Sequence, residues 1–455
     1  MENIWTVCDS EKLEKINVFC DEYKDFLSMC KTERECINFV TKLAEENGYI
    51  NLEKAICENK KLCAGDKVYA VNMGKAILLM IIGQEPMVKG MNLIGAHIDS
   101  PRLDLKATPI YENNGLCMFD THYYGGIKKY QWTALPLALH GVVVKKNGEK
   151  INLVLGEDDD EFVLGISDLL PHLESKDKEK KLDIKGEDLN VLVGSIPDVN
   201  TKEKDKVKSN ILKILKQYNI DEQDLFSAEI EIVPSGKARD FGLDKSMIMA
   251  YGQDDRVCAY ASVRAIMEQQ NPKCTSICML VDKEEIGSVG ATGMSSKFFE
   301  NSIAEIMNLA GQYNELDMRR ALNKSRMLSS DVTAAFDPNY PTPMNEKTDA
   351  FLCRGIAFNK YTGSHGKYDA NDANPEFIAK LRNILDDDKV SYQATEMGKV
   401  DAGGGGTIAY IMAGYGMEVI DAGVPLLNMH APWEIASKID IFEGYLCYKS
   451  FYKMT

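Results

Sequence analysis

Basic residues and histidine are scarce in this chain. Its 455 residues carry 53 lysines and arginines against 69 aspartates and glutamates, a net charge of −16. Nucleic acid and anionic membranes recruit proteins through net or clustered positive charge, so neither is expected as a partner. Only six histidines occur, at 97, 122, 140, 172, 365 and 430, and any imidazole-containing metal site must draw on them. Long apolar runs are absent as well. The longest are Ala76–Ile82 and Ala134–Leu139, the latter extended by Val142–Val144. Both fall far short of the roughly 18 residues that span a bilayer. The opening stretch MENIWTVCDSEKLEKINVF holds acids where a secretion signal has a basic start and an apolar core. The twelve cysteines lack the short paired spacings of a zinc knuckle. They read as reduced, mostly buried thiols, and the expected location is the cytoplasm.

What is present is a composition that folds. Hydrophobic residues make up 45% of the chain, ample for a packed core. At about 150 residues per domain the length allows two or three domains, or one large α/β unit with an insertion. Residues 10–48 show helical apolar spacing. Ala76–Gly83 and Asn92–Ile98 are strand-length apolar runs. Asn147-Gly148, between Val142–Val144 and Ile151–Leu155, signals a hairpin with a type I′ turn. Lys176–Asp188 and Lys202–Lys208 are charge-rich and read as solvated loops. Beyond residue 245, strand and helix patterns alternate, which implies a mostly parallel sheet flanked by helices. The expected organisation is a discontinuous α/β domain, residues 1–99 and 241–455, interrupted by a β-rich domain at 100–240.

Functional residues of open α/β sheets gather beyond the carboxyl ends of strands. Four polar clusters lie at such ends. The first holds His97 and Asp99, two residues apart and so on one face of an extended chain. Asp99 there can accept an imidazole N–H and orient the ring. The second, Gly252–Arg256, contains Asp254 and opens a helix. The third is Asp282-Lys283-Glu284-Glu285, and the fourth combines Ser330-Asp331 with Met429-His430-Ala431. Each has a plainer reading: a hydrogen-bonded histidine, a helix cap, a solvated acidic turn. Together, His97, His430, Asp254, Glu285 and Asp331 supply two nitrogen and three carboxylate donors. That set suits two divalent ions, most naturally Zn²⁺, with one carboxylate bridging and Glu284 serving as a base beside them. Gly404–Ala409 also fits G-x-G-x-x-A, a phosphate-binding pattern. However, the polar stretch Tyr392–Asp401 before it lacks the apolar strand that a dinucleotide fold requires.

The segments NLIGAHIDSPRLDLK, YGQDDRVCAYAS, VDKEEIGSVGATG, SSDVTAAFDPNY and NMHAPWEI resemble, in order and spacing, the bacterial-type M18 (aspartyl aminopeptidase) family. The resemblance implies a dinuclear-zinc exopeptidase fold with an inserted β-rich dimerisation domain. It implies removal of N-terminal residues from peptides by a metal-activated water with Glu284 as general base. His97 and Asp331 would be terminal ligands of one ion, Glu285 and His430 of the other, and Asp254 the bridge, with a cis peptide bond after it. Zn²⁺ is the expected metal, with Mn²⁺ or Co²⁺ compatible. Asp99 would support His97. His172 would reach a neighbouring subunit's site to stabilise an oxyanion or, on another description of the family, to bind zinc. The protein would then be a homo-oligomer, a tetrahedral dodecamer. Where the family carries a lysine associated with acidic substrates this chain has His365, with Lys367 two residues on. Both are candidate substrate-binding residues, and the preferred residue, Asp/Glu or another, stays open. A related M42-like, broad-specificity or deblocking aminopeptidase is the alternative.

Overall fold

The computed structural model describes residues 2–173, 184–363, 365–368 and 370–455, so Lys176–Asp183 of the first charged stretch lie outside the described residues. The strand Ala76–Ile81 shows how the main sheet is covered. All six of its residues are buried. Side chains alternate across a strand: Ile77, Leu79 and Ile81 join one apolar cluster, Leu78, Met80 and Ile82 another. An unbroken apolar run is what a strand covered on both faces demands.

Among the described residues nine strands form this sheet. They are β1 (Ile50–Asn51), β2 (Lys67–Asn72), β3 (Ala76–Ile81), β4 (Met91–His97), β5 (Thr275–Val281), β6 (Arg326–Ser329), β7 (Ile356–Asn359), β8 (Tyr392–Thr395) and β9 (Glu418–Gly423). Their spatial order is β1-β2-β3-β5-β4-β6-β9-β7-β8. The central strands β5, β4, β6 and β9 are parallel to one another. Antiparallel pairs β2–β3, β3–β5 and β9–β7 complete a mixed α/β sheet.

The helical region near the N-terminus is two helices, α1 (Ser10–Met29) and α2 (Glu33–Glu46). The break falls at Thr32, whose hydroxyl accepts from the Glu35 N–H while the Glu35 carboxylate accepts from the Thr32 N–H. This reciprocal cap satisfies two donors that a helix start leaves open. Two further helices, α3 (Gln253–Met267) and α5 (Lys438–Phe451), pack in the same layer, and α4 (Phe298–Leu309) covers the opposite face. Phe19, Tyr23 and Phe26 of α1 all lie within 5.4 Å, ring centroid to ring centroid, of Tyr260 on α3.

By its contacts the chain divides into two compact units. The larger comprises residues 1–99, 238–429 and 434–455; the smaller comprises 100–237 together with 430–433. The smaller unit holds a six-stranded antiparallel sheet. Its hairpin between Leu137–Val144 and Lys150–Leu155 forms at Asn147-Gly148, but through a five-residue connection in which only Gly148 has positive φ. A type I′ turn needs two such residues.

Two expectations are corrected. Lys202–Lys208 is not all loop, because a helix begins at Lys206 and runs to Gln217. Val207, Ile211 and Leu215 recur every fourth residue along its buried face, while four lysines lie on its other positions. The stretch after Val390 does contain a strand, β8, at the sheet edge. Its polar Gln393 is buried because the side-chain amide donates to the Phe351 and Gly355 carbonyls at 2.9 and 3.0 Å. The glycine run starts only at Gly403, well past the end of β8, so it is not the tight turn of a dinucleotide fold.

Asp440 on α5 is fully buried, and its carboxylate accepts the N–H groups of Cys353 and Gly355 at 2.6 and 2.7 Å. Burial pushes this carboxyl up to about 8 despite those two donors. The unfolded value is about 3.9, so the folded state holds the extra proton. Its contribution to stability is therefore full below about pH 4 and is lost as pH rises toward about 8. Asp440→Asn removes this titration. In urea unfolding, the stability of the wild type relative to the variant is expected to fall across that window by up to about 1.4 kcal/mol per pH unit. A difference independent of pH contradicts the assignment.

Candidate metal centre

Three neighbouring parallel strands deliver side chains to one edge of the sheet. Val281, the last residue of β5, lies opposite His97, the last residue of β4. Ser329, the last residue of β6, lies opposite Gly95. The chain beyond these ends supplies Asp99, the Glu284-Glu285 pair and Asp331. Asp254 enters from the start of α3, where Asp254 and Asp255 have non-helical backbone angles and the peptide bond between them is cis.

Donor atoms of His97, Asp254 and Glu285 lie within 4.8 Å of one another, and so do those of His97, Glu284 and Asp331. The imidazole is common to both groups. Its Nε2 is 3.2 Å from Asp254 Oδ1 and 3.8 Å from Asp331 Oδ1. Its Nδ1 is 3.0 Å from the Asp99 carbonyl and 3.3 Å from the Asp99 carboxylate. Both of those oxygens only accept, so Nδ1 carries a proton, and Nε2 is the nitrogen that faces the acidic cluster.

The electrostatics call for cations. Burial alone would lower the His97 pKa, yet hydrogen bonding to Asp254, Asp331 and Asp99 drives it well above its ordinary value. Burial raises Glu284 to about 8, with repulsion from Asp331, Asp99 and Asp254 adding to the effect. Carboxylates packed this closely cannot all ionise without a counter-charge. One imidazole nitrogen among several carboxylate oxygens is a donor set that zinc and similar divalent ions accept.

The surrounding residues fix this geometry, and several of them carry no role in the sequence reading. Asp99 does more than orient His97: its two oxygens accept the N–H groups of Glu284 and Glu285, both at 3.1 Å. It thereby splints the turn on which two adjacent glutamates diverge. The Asp254 N–H donates to Glu434 Oε2 at 2.9 Å, and Glu434 is placed there by pairing with Ala250 in a neighbouring five-stranded sheet. Glu434 lies inside the NMHAPWEI segment, so the signal was available. Asp255, fully buried, accepts the His97 N–H at 3.4 Å. Gly423 of β9 passes so close to Asp331 that a Cβ there would sit 1.7 Å from the Asp331 carbonyl oxygen. Nothing in the sequence pattern singles that glycine out.

The remaining sequence candidates lie elsewhere. His430 belongs by its contacts to the smaller unit, where its Nδ1 is 3.0 Å from the Gly126 carbonyl. Since a carbonyl only accepts, this nitrogen is the donor and Nε2 carries the lone pair. His172 is exposed on the smaller unit, in the turn Pro171–Leu173. His365 and Lys367 sit in an exposed turn, both with positive φ. His365 is 3.6 Å from Asp401, and Lys367 is 2.9 Å from Asp372. All twelve cysteines are free thiols, eight of them buried.

An α/β sheet with such a cluster at the carboxyl edge of its parallel strands offers a site for a divalent metal ion. Residues 26–452 match the family model for "Aminopeptidase I zinc metalloprotease (M18)". A probable M18 family aminopeptidase 1 from Clostridium acetobutylicum is 58% identical over 99% of this chain and 97% of its own length. The crystal structure of aminopeptidase I from that organism superposes with a TM-score of 0.91 at 57% identity, covering 99% of this chain and 98% of that one. The M18 aminopeptidase from Thermotoga maritima gives a TM-score of 0.94 at 42% identity, covering 100% and 99%. The S. cerevisiae mApe1 dodecamer shares the fold, with a TM-score of 0.76 at 19% identity over 97% of each chain. The chain belongs to the M18 family of zinc metalloaminopeptidases.

Because Asp99 orients both His97 and the Glu284-Glu285 turn, Asp99→Asn is expected to weaken zinc binding by about 10- to 100-fold. Competition against a chromophoric chelator measures this. Unchanged affinity would show that Asp99 does not support the donors.

Proposed function

We propose that this protein removes the N-terminal residue of peptides with two divalent ions, zinc by preference and Mn²⁺ or Co²⁺ as substitutes. His97 and Asp331 would hold one ion, Glu285 and His430 the other, with Asp254 between them. The observation that carries the reading is the position of Asp254, whose carboxylate is grouped with both His97 and Glu285, as a bridging ligand's must be. His430 would offer Nε2 as its ligand atom, since its Nδ1 lies 3.0 Å from the Gly126 carbonyl.

When bound, the ions would activate a water and offset charge on the scissile carbonyl oxygen. Glu284 takes the proton from the attacking water and passes it to the departing amine. Its neighbour Glu285 serves as a ligand. The two carboxylates divide these tasks because the Asp99 splint holds their turn, with Lys283 before it and Gly287 after it both at positive φ. The carboxylates around the ions also anchor the free α-amino group, which restricts cleavage to the chain's first residue. His172, on the 100–240 domain, would cross into a second subunit's site and stabilise the oxyanion. Homo-oligomerisation, as a dodecamer, follows from that role and from the assembly of the yeast relative. The cytoplasm is the location we assign, in keeping with twelve free thiols. Among the described residues no helix is long and apolar enough to cross a membrane.

A broad-specificity, M42-like activity is the second reading for substrate choice. It is favoured by the carboxylate partners of the two candidate acid-recognising side chains, His365 with Asp401 and Lys367 with Asp372. A panel of aminoacyl p-nitroanilides, assayed with Zn²⁺, Mn²⁺ and Co²⁺, separates the two: an optimum at Asp or Glu removes the second reading.

Glu284→Gln is expected to lower kcat by about 10²- to 10⁴-fold with metal content unchanged. Turnover near the wild-type rate in a fully metallated variant would sink the general-base assignment. Mixing Glu284→Gln with His172→Ala protomers under subunit exchange is expected to restore activity that neither has alone. No recovery, or an active monomer by light scattering, would exclude catalysis across subunits.

A further inference from the structure

Behind the metal edge, a row of polar side chains crosses four strands of the sheet. The ladder register places Ser329 of β6 opposite Asp421 of β9, Asp421 opposite Asn359 of β7, and Asn359 opposite Thr395 of β8. All four are buried, Asp421 to 1% exposure. Burying such groups is costly unless each finds a hydrogen-bond partner. Thr395 Oγ1 donates to Asn359 Oδ1 at 2.5 Å, and Asn359 Nδ2 donates to Thr333 Oγ1 at 3.3 Å. Asp421 Oδ1 accepts from Thr407 Oγ1 at 2.6 Å. Thr407 closes the glycine run Gly403–Gly406, so the row ends in a bond that ties a surface loop to the sheet.

The loop is held at three further points. A Cβ on Gly403 would lie 1.8 Å from the Met397 carbonyl oxygen, so this turn closes tightly on its own start. The Gly405 carbonyl accepts from the Gly363 N–H at 2.7 Å, linking the run to the segment that carries His365 and Lys367. Ile408, just past Thr407, is buried beside Gly95 of β4, two residues before His97. The outer side is different. A Cβ on Gly406 would meet nothing within 4 Å, and among the described residues nothing accepts from the N–H groups of Gly404, Gly405 and Gly406. Backbone N–H groups presented by glycines can approach a ligand closely.

We propose that Asp421 and Thr407 are positioning residues, a buried pin that holds the N–H groups of Gly404–Gly406 ready to pair with the main-chain carbonyls of a peptide substrate. The inference rests on the aminopeptidase reading and deepens it. The pin touches neither substrate nor metal; it acts through the loop, and the glycines read backbone rather than side chain. That mode of recognition is independent of the identity of the substrate's residues.

The test uses the metal-loaded, full-length protein with Thr407→Val, Thr407→Ser and Asp421→Leu. The net worth of one hydrogen bond predicts a KM for a tetrapeptide raised about five- to tenfold in Thr407→Val, with kcat within twofold of wild type. Thr407→Ser, which keeps the hydroxyl, restores KM, and Asp421→Leu reproduces the Thr407→Val effect. Metal content stays unchanged in all three. Hydrogen exchange of residues 403–406 is faster in Thr407→Val than in wild type or Thr407→Ser. Exchange unchanged in Thr407→Val, or a fall in kcat at constant KM, overturns the proposal. If the wild type fails to hydrolyse peptides, the aminopeptidase reading falls, while the exchange measurement still decides whether the pin holds the loop. If Thr407→Val does not fold, exchange and KM in Asp421→Leu decide in the same way.

Discussion

Mutual repulsion among carboxylates governs this structure. Asp254, Glu284, Glu285 and Asp331 are brought toward a single imidazole, in a setting that raises Glu284 to about 8 and drives His97 well above its ordinary range. Left to themselves, such groups would protonate or move apart. Divalent ions relieve the repulsion, but only if the oxygens already converge, and a surrounding layer of residues provides that convergence. Asp99 holds two backbone N–H groups, Glu434 holds the Asp254 N–H, and Asp255 takes the His97 N–H. These partners are themselves carboxyl residues, so the acidic composition of the site extends one layer beyond its proposed ligands.

The fold answers this demand through register. Parallel strands β5 and β4 end level with one another and β6 ends two residues earlier in the register, so that short extensions of each reach a common point. Large apolar clusters on both faces of the sheet hold those strands in place. Their packing prevents the carboxylates from relaxing outward, because moving one strand would open cavities on both sides. Close backbone approach serves the same end at Gly423, where any side chain would displace Asp331. The polar row from Ser329 to Thr395 crosses this packing, with Asp421 bonded to Thr407, Asn359 to Thr333 and Thr395 to Asn359.

Much of this was legible beforehand. The strands that lead to His97 and Glu284 are mainly apolar runs followed by polar residues, a pattern that sheets covered on both faces impose. His97, Asp254, Glu284, Glu285 and Asp331 stood out because each follows a strand or opens a helix. Less was visible where tertiary bonds override local pattern. Gln393 reads as polar loop, yet its side chain is satisfied by two distant carbonyls and β8 forms. Lys202–Lys208 reads as a solvated loop because its charges hide the start of a helix whose buried residues, Val207, Ile211 and Leu215, lie mostly beyond it. Asp99 was expected to serve His97, and its grip on the Glu284-Glu285 turn depends on a contact 185 residues away along the chain.

By itself the sequence determined the kinds of donor, the strands and helices that carry them, and the family to which the chain belongs, because apolar periodicity and motif order are properties of neighbouring residues. Only the tertiary structure decided which donors share a point in space, which nitrogen of His97 faces the acidic cluster, and how closely the glycine loop is tied to β9. Those depend on strand register and on hydrogen bonds between residues from 14 to 185 positions apart in the chain. No local pattern encodes such distances, since they are set by the packing of the whole domain.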